Sequence, residues 1–321
     1  MGFHDEHRQY LAARDLLRGS KLAQREQVFL GSKYVSGKPT ADLAIRFNVR
    51  VKKPRARLTS TELIPRRIGD FRTDVTSFQF RRQTRSEPPY SIIRPLLGGA
   101  QIQAGGSQDP MNWGTMGCVF EFNGIGYGIT NYHVLNARGT LVDKAGAGQK
   151  LRSPEPQHVI QPARKYFGER IGDLADAADE TLDYALFRMI ADGDQRQHLN
   201  GIDGVLAGYL RPAGLGLLTL IKSGAATGVT HGVYDGRSLT NPYTVLIRRR
   251  ENSPATRLSA PGDSGSAWVE DPGTPDADDK QSISRRLFAL HVGGESSGRL
   301  AIATLFSSIW PSMVNKLNRN L

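Results

Sequence analysis

From about residue 96 onward, the sequence consists of short runs of β-branched and aromatic residues that are separated by Gly, Pro, Asn and Asp. Runs of this kind between turn residues are typical of β-strands, and a long amphipathic helical pattern appears only at residues 309 to 321. The pattern therefore predicts a mainly β fold, a barrel or a sandwich, that ends in a C-terminal helix. The strands are expected at residues 118–122, 127–131, 184–189, 215–222, 244–248, 267–269 and 287–292.

The residues before this region predict a small unit that contains both helix and strand. Leucines at helical spacing predict a helix over residues 4 to 28, with its end near Gly31. Alternating apolar and polar residues predict a strand at residues 43 to 51, and residues 73 to 80 form a second candidate strand. Residues 83 to 95, which include consecutive prolines, are expected to form a linker.

Almost all of the net positive charge lies in the N-terminal part of the chain. The formal net charge is +11, and residues 1–90 contain 19 Lys and Arg against 9 Asp and Glu, whereas residues 91–321 contain 23 against 22. We therefore expect a basic N-terminal α+β domain at residues 1–90 and a β domain at residues 91–321. The basic segment contains no zinc-finger, RNA-recognition or helix-turn-helix pattern. We expect solvated surface charge or docking of a partner protein there, and not binding of nucleic acid.

The composition excludes several classes of protein. Hydrophobic residues make up 39% and charged residues 23% of the chain, which is the range of globular domains. The single cysteine, Cys118, cannot form an internal disulfide, and no Cys/His cluster has the spacing of a zinc site. No run approaches the roughly 18 apolar residues of a membrane span. We therefore expect a cytoplasmic protein that spans no membrane and uses neither a metal nor a cofactor.

Residues 260–268, Ala-Pro-Gly-Asp-Ser-Gly-Ser-Ala-Trp, contain the strongest chemical signal. Glycines on both sides of Asp263 and Ser264 permit a tight turn that presents the serine hydroxyl. The backbone amides of Gly262 and Ser264 are then expected to donate hydrogen bonds to a developing oxyanion. A serine nucleophile also needs a base, because the protonated hydroxyl reacts poorly.

Two other segments supply a base and an acid. His133 stands at the end of one apolar strand, and Asp183 stands just before another. An imidazole takes the serine proton, and a carboxylate fixes the tautomer and stabilises the imidazolium. We therefore predict a catalytic triad of His133, Asp183 and Ser264. Three acids compete with Asp183, but none is followed by the expected strand. They are Asp173, Asp176 and Asp179.

These segments resemble the serine, histidine and aspartate blocks of the chymotrypsin-fold serine peptidases. The matching residues are Gly-Asp-Ser-Gly-Ser at 262–266, Thr-Asn-Tyr-His-Val at 130–134 and Asp-Tyr-Ala-Leu at 183–186. The order His, Asp, Ser and the gaps of 50 and 81 residues are typical of that fold. The resemblance covers about residues 96 to 310. It implies a double β-barrel that hydrolyses peptide bonds in the cleft between its barrels.

Other segments show weaker similarities. Residues 222–233 are similar to a hairpin that is common in bacterial trypsin-like peptidases lacking disulfides. Residues 96–99 faintly resemble the new N-terminus of a trypsin-type zymogen, which pairs with the acid before the serine. We do not expect such activation, since bacterial relatives commonly keep an acid at the position of Asp263 without it. A leader domain of a bacterial and plant subgroup is weakly similar to residues 31–40, 45–53 and 62–65.

The resemblance also implies what the first substrate pocket accepts. Trypsin-like enzymes hold Lys or Arg with an acid six residues before the serine, and Leu258 stands there. Leu-His-Val-Gly-Gly at 290–294 is similar to a strand of glutamyl endopeptidases and viral chymotrypsin-like cysteine proteases, whose histidine meets Glu or Gln. Ser259 matches an accompanying hydroxyl. We therefore expect Glu or Gln in this pocket, although a purely structural role for His291 remains open. The expected substrate-binding residues are Leu258, Ser259, His291, Gly293 and Gly294.

Alternative active sites fit the sequence less well. An α/β-hydrolase elbow requires glycine two residues after the serine, where Ser266 stands. Cys118 lies inside a predicted strand and not on a glycine turn, so we interpret it as a small core residue. The alternative function is a catalytically inactive binding or scaffold module with the same fold.

Overall fold

The computed structural model describes residues 3–24, 27–82, 92–105, 107, 112–135, 158–163, 168–190, 197–212, 218–251, 253–273 and 283–319. Within these residues the chain forms 19 strands, three α-helices and two short 3₁₀ helices. The expected mainly β fold with a C-terminal helix is confirmed. The helices are α1 (Phe3–Leu17), α2 (Tyr132–Leu135) and α3 (Phe306–Arg319), and the 3₁₀ helices are Lys21–Gln24 and Arg55–Arg57.

The β domain contains two barrels, and the N-terminal region adds strands to the sheet of the second one. β1 pairs with the barrel strand Gly228–Ser238, β2 pairs with β1, and β4 pairs with β2 in parallel. Residues of α1 pack on these strands in a shared apolar cluster, in which Tyr10 is 3% exposed. The division of the chain at residue 90 stays a prediction. The strands are β1 (Val28–Val35), β2 (Lys38–Asn48), β3 (Arg67–Ile68), β4 (Phe71–Thr76) and β5 (Phe80–Arg82).

Some predicted N-terminal elements have different bounds. The helix predicted to reach residue 28 ends at Leu17, because Gly19 follows with a left-handed φ of 74°, a conformation that terminates helices. Residues 28 to 31 open β1 instead. The strand predicted at 43–51 ends at Asn48, and the one predicted at 73–80 is divided into β4 and β5. Residues 83–91 of the predicted linker lie outside the described residues.

The first barrel is a curled seven-stranded sheet. Its hydrogen-bonded order is β7, β6, β10, β11, β12, β9 and β8. Its two end strands follow each other along the chain: only Met116 and Gly117 separate β7 from β8, and their amides donate to the Ala100 and Ile129 carbonyls at 2.8 and 2.7 Å. The strands are β6 (Gln101–Ala104), β7 (Gly114–Thr115), β8 (Cys118–Phe122), β9 (Ile125–Thr130), β10 (His158–Gln161), β11 (Glu169–Asp179) and β12 (Tyr184–Met189).

The second barrel repeats the strand order of the first. β14 pairs with both β15 and β17, so that the order β14, β15, β16, β19, β18 and β17 closes on itself. If β7 and β8 count as one strand, both barrels have the order 1-2-3-6-5-4. β13 lies outside this ring and pairs with β18. The strands are β13 (Val205–Tyr209), β14 (Thr219–Gly224), β15 (Gly228–Ser238), β16 (Thr244–Arg249), β17 (Ala267–Glu270), β18 (Ser284–Glu295) and β19 (Leu300–Leu305).

An apolar cluster joins the two barrels. It contains Ile129 of β9, Leu290 of β18 and the buried face of α3. That face repeats every three or four residues, as one side of a helix does, and consists of Phe306, Ile309, Met313 and Leu317. The predicted C-terminal helix therefore holds the two barrels against each other. Among the helices of the described residues, none has the length and apolar character needed to cross a membrane.

Candidate active site

His133 and Asp183 meet at the ends of neighbouring strands of the first barrel. β9 pairs with β12, with Thr130 opposite Ala185, so His133, three residues after Thr130, comes close to Asp183, two residues before Ala185. Asp183 Oδ2 lies 2.7 Å from His133 Nδ1, and Asp183 Oδ1 accepts the His133 backbone N–H at 3.1 Å. Both side chains are almost fully buried, with 7% of His133 and 9% of Asp183 exposed. The carboxylate therefore fixes both the position and the ring orientation of the histidine.

The backbone of Asp183 is held in an uncommon conformation. Its φ is 51°, in the left-handed region that few residues other than glycine adopt and that Asp tolerates. Asn131 Nδ2 donates to the Asp183 carbonyl at 2.8 Å and secures this turn. The predicted acid is thus aimed at His133 by a specific local geometry. The other acids have different contacts: Asp173 pairs with Arg170, and Asp179 accepts a hydrogen bond from Ser312.

Ser264 stands on a turn that only glycines can form. Gly262 and Gly265 have φ of 105° and 94°. A Cβ on Gly262 would lie 2.2 Å from the Trp113 ring, and a Cβ on Gly265 would lie 2.1 Å from Thr130 Oγ1. The flanking glycines are therefore required by sterics as well as by φ.

The serine turn of the second barrel packs directly on the first barrel. The Thr115 amide donates to the Ser264 carbonyl at 2.8 Å, and Thr130 Oγ1 donates to the Thr115 carbonyl at 2.7 Å. Thr130 ends β9, three residues before His133. The turn and the histidine therefore belong to one packed unit at the junction of the barrels.

The serine hydroxyl is not hydrogen-bonded to the histidine in this structure. Ser264 Oγ donates to the Val292 carbonyl at 2.9 Å, and the residue is 0% exposed. His133 Nε2 is buried and has no hydrogen-bond partner among the described residues. The His133–Asp183 pair is therefore assembled, whereas the contact that would activate Ser264 is not made.

A buried lysine, which the sequence analysis did not single out, holds the serine turn. Lys222 Nζ lies 2.9 Å from Asp263 Oδ2, and both side chains are 0% exposed. Asp263 also accepts the amides of Ala226 and Thr227 at the tip of the β14–β15 hairpin. Burial alone would raise the pKa of Asp263, but the Lys222 charge and the hydrogen bonds from the Lys222 and Thr227 side chains lower it below its ordinary value. An internal ammonium thus satisfies this acid.

The two predicted oxyanion donors, the amides of Gly262 and Ser264, lie on either side of the Asp263 amide, which already has a hydrogen-bond partner. The Asp263 N–H donates to the Ala260 carbonyl at 3.1 Å, inside the turn. The Gly262 carbonyl accepts Thr115 Oγ1 at 2.7 Å, which fixes the peptide plane between Gly262 and Asp263. The assignment of the Gly262 and Ser264 amides to an oxyanion site stays a prediction.

Three residues predicted to line the first pocket are fully or almost fully buried. Leu258 packs in the core of the second barrel with Trp268. The Ser259 hydroxyl is buried and has no hydrogen-bond partner among the described residues. Trp268 Nε1 donates to His291 Nδ1 at 3.4 Å, so Nδ1 is unprotonated. Burial lowers the pKa of His291 to about 3, and the nearby Lys222 charge contributes to the decrease.

The remaining predicted residues have contacts of another kind. Gly293 and Gly294 lie in β18 and pair with β19 on one edge and with β5 on the other. Cys118 lies in the cluster between the barrels, and burial raises the pKa of its thiol to about 12. Its interpretation as a core residue is confirmed. The described residues hold no cluster of three or more His, Cys, Asp or Glu that is arranged to bind a metal ion.

Comparison with known proteins finds similarity only among solved structures. No protein-family model and no curated protein sequence matches this chain. One similar structure is a glutamic-acid-specific serine protease that uses a histidine triad in substrate binding. It is 19% identical, with a TM-score of 0.42, and the matched region covers 68% of this chain and 97% of that protease chain. Protease A of Thermobifida fusca is 14% identical, with a TM-score of 0.39, and covers 67% of this chain and 94% of its own.

A third similar structure is the chymotrypsin of Cellulomonas bogoriensis. It is 18% identical, with a TM-score of 0.40, and covers 67% of this chain and 94% of its own. The structural neighbours are thus bacterial serine proteases of the chymotrypsin fold. Because the identities and TM-scores are low, this similarity by itself identifies neither an activity nor a site residue. The double-barrel architecture rests on the strand order of the closed second sheet and of the curled first sheet.

Proposed function

We propose that the protein is a serine endopeptidase that acts through His133, Asp183 and Ser264. The observation that carries the proposal is the pairing of His133 Nδ1 with Asp183 Oδ2 at 2.7 Å beside a buried Nε2 that has no partner among the described residues. With its proton on Nδ1, a neutral imidazole presents the lone pair of Nε2 as a base. This is the state that a serine nucleophile needs beside it.

The reaction follows from these positions. The Ser264 hydroxyl turns from the Val292 carbonyl toward His133 Nε2, gives up its proton and attacks the peptide carbonyl carbon. The amides of Gly262 and Ser264 stabilise the oxyanion, an effect of roughly 3 to 4 kcal/mol per donor. His133 then protonates the leaving amine, and an acyl-enzyme remains. His133 next takes a proton from a water molecule, whose oxygen attacks the acyl carbon; His133 then gives that proton to Ser264 Oγ as the carboxylic acid product leaves.

The first pocket is proposed to take Gln or Glu. Leu258 offers no charge for a Lys or Arg side chain, and the buried Ser259 hydroxyl has no partner among the described residues. Because Nδ1 of His291 accepts from Trp268, the ring proton is on Nε2, and we propose that this N–H donates to the substrate's carboxamide or carboxylate oxygen in the bound complex. A polar pocket rejects apolar side chains that leave such groups unpaired.

The second candidate function is an inactive scaffold. It is favoured by one observation: Ser264 is 0% exposed and its hydroxyl donates to the Val292 carbonyl. In a scaffold this arrangement would be permanent, whereas in a peptidase it is a resting state.

Hydrolysis of fluorogenic peptides tests the proposal. We expect the protein to cleave after Gln or Glu at least tenfold faster than after Lys, and the Ser264→Ala variant to be inactive while keeping its unfolding temperature. Turnover that persists in Ser264→Ala would contradict the assignment. Cleavage mainly after Lys or Arg would contradict the pocket while leaving the triad in place.

A further inference from the structure

One edge of β18 carries three successive partners. β19 occupies the opposite edge from Ala289 to Gly294, with His291 paired to Ala303. On the first edge, β17 pairs up to Leu290, and the serine turn follows, since His291 exchanges hydrogen bonds with Ser266 and Gly265 at 2.8 and 2.9 Å. β5 takes the next positions. Its paired residues are Gly293 with Arg82, Gly294 with Arg81 and Glu295 with Phe80.

The direction of β5 points it at the serine. The pairing is antiparallel, so the chain from Phe80 to Arg82 runs from Glu295 toward Gly293. The next residue of β18 is Val292, whose carbonyl accepts the Ser264 hydroxyl at 2.9 Å. β5 therefore approaches the candidate nucleophile with its C-terminal end, along a strand edge that adjoins the serine turn.

An extended peptide that approaches Ser264 along this edge needs the same backbone groups. Strand addition uses the unpaired N–H and C=O groups of a sheet edge, and each group pairs with one partner strand at a time. While β5 is paired, the groups of Gly293 to Glu295 on this edge are not available to another strand.

We propose that β5 is an internal occupant of the peptide-binding edge and must leave before a peptide is bound. The proposal rests on the proposed function, because it takes the edge beside Ser264 as the place where substrate pairs. It assigns a specific role to one segment of the N-terminal region: β5 keeps the site closed, and its release opens it.

The attachment of β5 suits a segment that detaches while the remainder of the region stays folded. The strand is three residues long, whereas β1 and β2 pair over most of their length. Just before β5, Asn48 clamps Phe78: its Oδ1 accepts the Phe78 N–H at 2.6 Å and its Nδ2 donates to the Phe78 carbonyl at 2.8 Å. β5 is therefore tethered at one end by β2 and is held to β18 by its own short pairing.

The test uses full-length protein and a labelled peptide with the sequence of residues 76 to 82, Thr-Ser-Phe-Gln-Phe-Arg-Arg. All variants carry Ser264→Ala, so that binding is measured by fluorescence anisotropy without turnover. Arg81→Pro removes a backbone N–H from the middle of β5, a position that paired strands do not tolerate. We expect this variant to bind the peptide at least tenfold more tightly than the parent.

Arg55→Pro is the matched control. It makes the same change of residue and charge at the first position of a 3₁₀ helix, after Pro54 with a ψ of 142°, where proline fits. We expect it to bind the peptide as weakly as the parent. Equal affinity for the parent, Arg81→Pro and Arg55→Pro, with circular dichroism showing folded protein in each case, overturns the proposal.

A disulfide between β5 and β18 provides a second test that does not depend on the folding of Arg81→Pro. Phe80 and Glu295 are directly paired, and cross-strand Cα distances of about 5 Å permit a disulfide. In Phe80→Cys with Glu295→Cys, the oxidised form is expected to bind the peptide at least tenfold less than the reduced form. Equal binding by both forms contradicts the proposal. The only native cysteine, Cys118, is buried and does not compete.

Peptide affinity tests the role of β5, and fluorophosphonate labelling tests the peptidase activity of Ser264. Peptide binding in the Ser264→Ala background needs no chemistry. If Arg81→Pro gains affinity but the same substitution with Ser264 intact never reacts with a fluorophosphonate, the occupied edge is supported and the peptidase is not. If the fluorophosphonate reacts with Ser264 while affinity is unchanged, the peptidase is supported and the role of β5 is refuted.

Discussion

At the scale of single residues, the site depends on a few side chains whose partners are fixed. Asp183 is the clearest case, since its carboxylate accepts from both the ring Nδ1 and the backbone N–H of His133. Each contact has a chemical consequence: one sets the tautomer, and the other sets the position of the base.

Replacement of Asp183 by asparagine tests this assignment. We expect Asp183→Asn to lower kcat by about 10³- to 10⁴-fold, because the amide permits the wrong tautomer of His133. Asp173→Asn is the matched control, since Asp173 is exposed and pairs with Arg170. Steady-state kinetics of both variants give the comparison. Equal activity in the two variants would show that Asp183 is not the orienting acid.

The charge state of His291 predicts how specificity responds to pH. Its pKa of about 3 leaves the imidazole neutral from about pH 6 to about pH 8, with Lys222, Asp263 and His133 as its charged or titratable neighbours. We therefore expect the ratio of kcat/KM for Glu and Gln peptides to stay constant over this range. An imidazolium with an ordinary pKa would instead attract Glu at low pH, and the ratio would fall as pH rises. The ratio is informative because a pH effect on the chemical step shared by both substrates cancels in it.

The functional residues that could be predicted have their required neighbours close in sequence, whereas the residues that were missed depend on partners far along the chain. The Ser264 turn and the segment of His133 have local signatures, because the glycines and the strand end that they need are adjacent in sequence. Lys222 has no local signature, since its partner Asp263 is 41 residues away. The position of Leu258 in the barrel core also depends on distant strands.

At the scale of elements, several strands with a buried apolar face were predicted, although β19, which is also buried and apolar, was not. β12, buried at five of its six positions, matches its predicted bounds. β11 was missed, because its acid-rich sequence is only partly buried and resembles a loop. The start of β1 was taken for the end of a helix, since its partner residues in β15 lie more than 200 residues away in sequence.

The β14–β15 hairpin predicts a link between stability and the serine turn. Lys222→Met leaves the Asp263 carboxylate buried without its cation, so we expect a loss of about 3 to 5 kcal/mol in the free energy of unfolding. We also expect Ser264 to lose most of its reactivity with a fluorophosphonate under folding conditions.

Arg46→Met is the matched control for this loss. Arg46 forms an equally buried pair with Asp235 at 2.6 Å, where β2 meets the second barrel and far along the chain from the serine turn. We expect a comparable loss of stability in urea unfolding but unchanged labelling of the folded protein. Full labelling of Lys222→Met would show that the Lys222–Asp263 pair does not support the serine turn.

At the scale of the whole molecule, two barrels with the same strand order meet at the candidate site. Each barrel supplies one half: β9 and β12 hold His133 and Asp183, and the turn before β17 holds Ser264. The C-terminal helix and the Thr115–Ser264 hydrogen bond keep the halves together. We propose that this junction activates Ser264 as a nucleophile.

Covalent labelling by a fluorophosphonate tests that claim most directly. We expect intact-protein mass spectrometry to show one adduct on the wild-type chain, with peptide mapping that places it on Ser264, and no adduct on Ser264→Ala or on heat-unfolded protein. Labelling needs both the base and the folded turn, so it separates a peptidase from a scaffold. Absence of the adduct from folded wild type and folded Arg81→Pro alike, under conditions that label a control protease, would contradict the account.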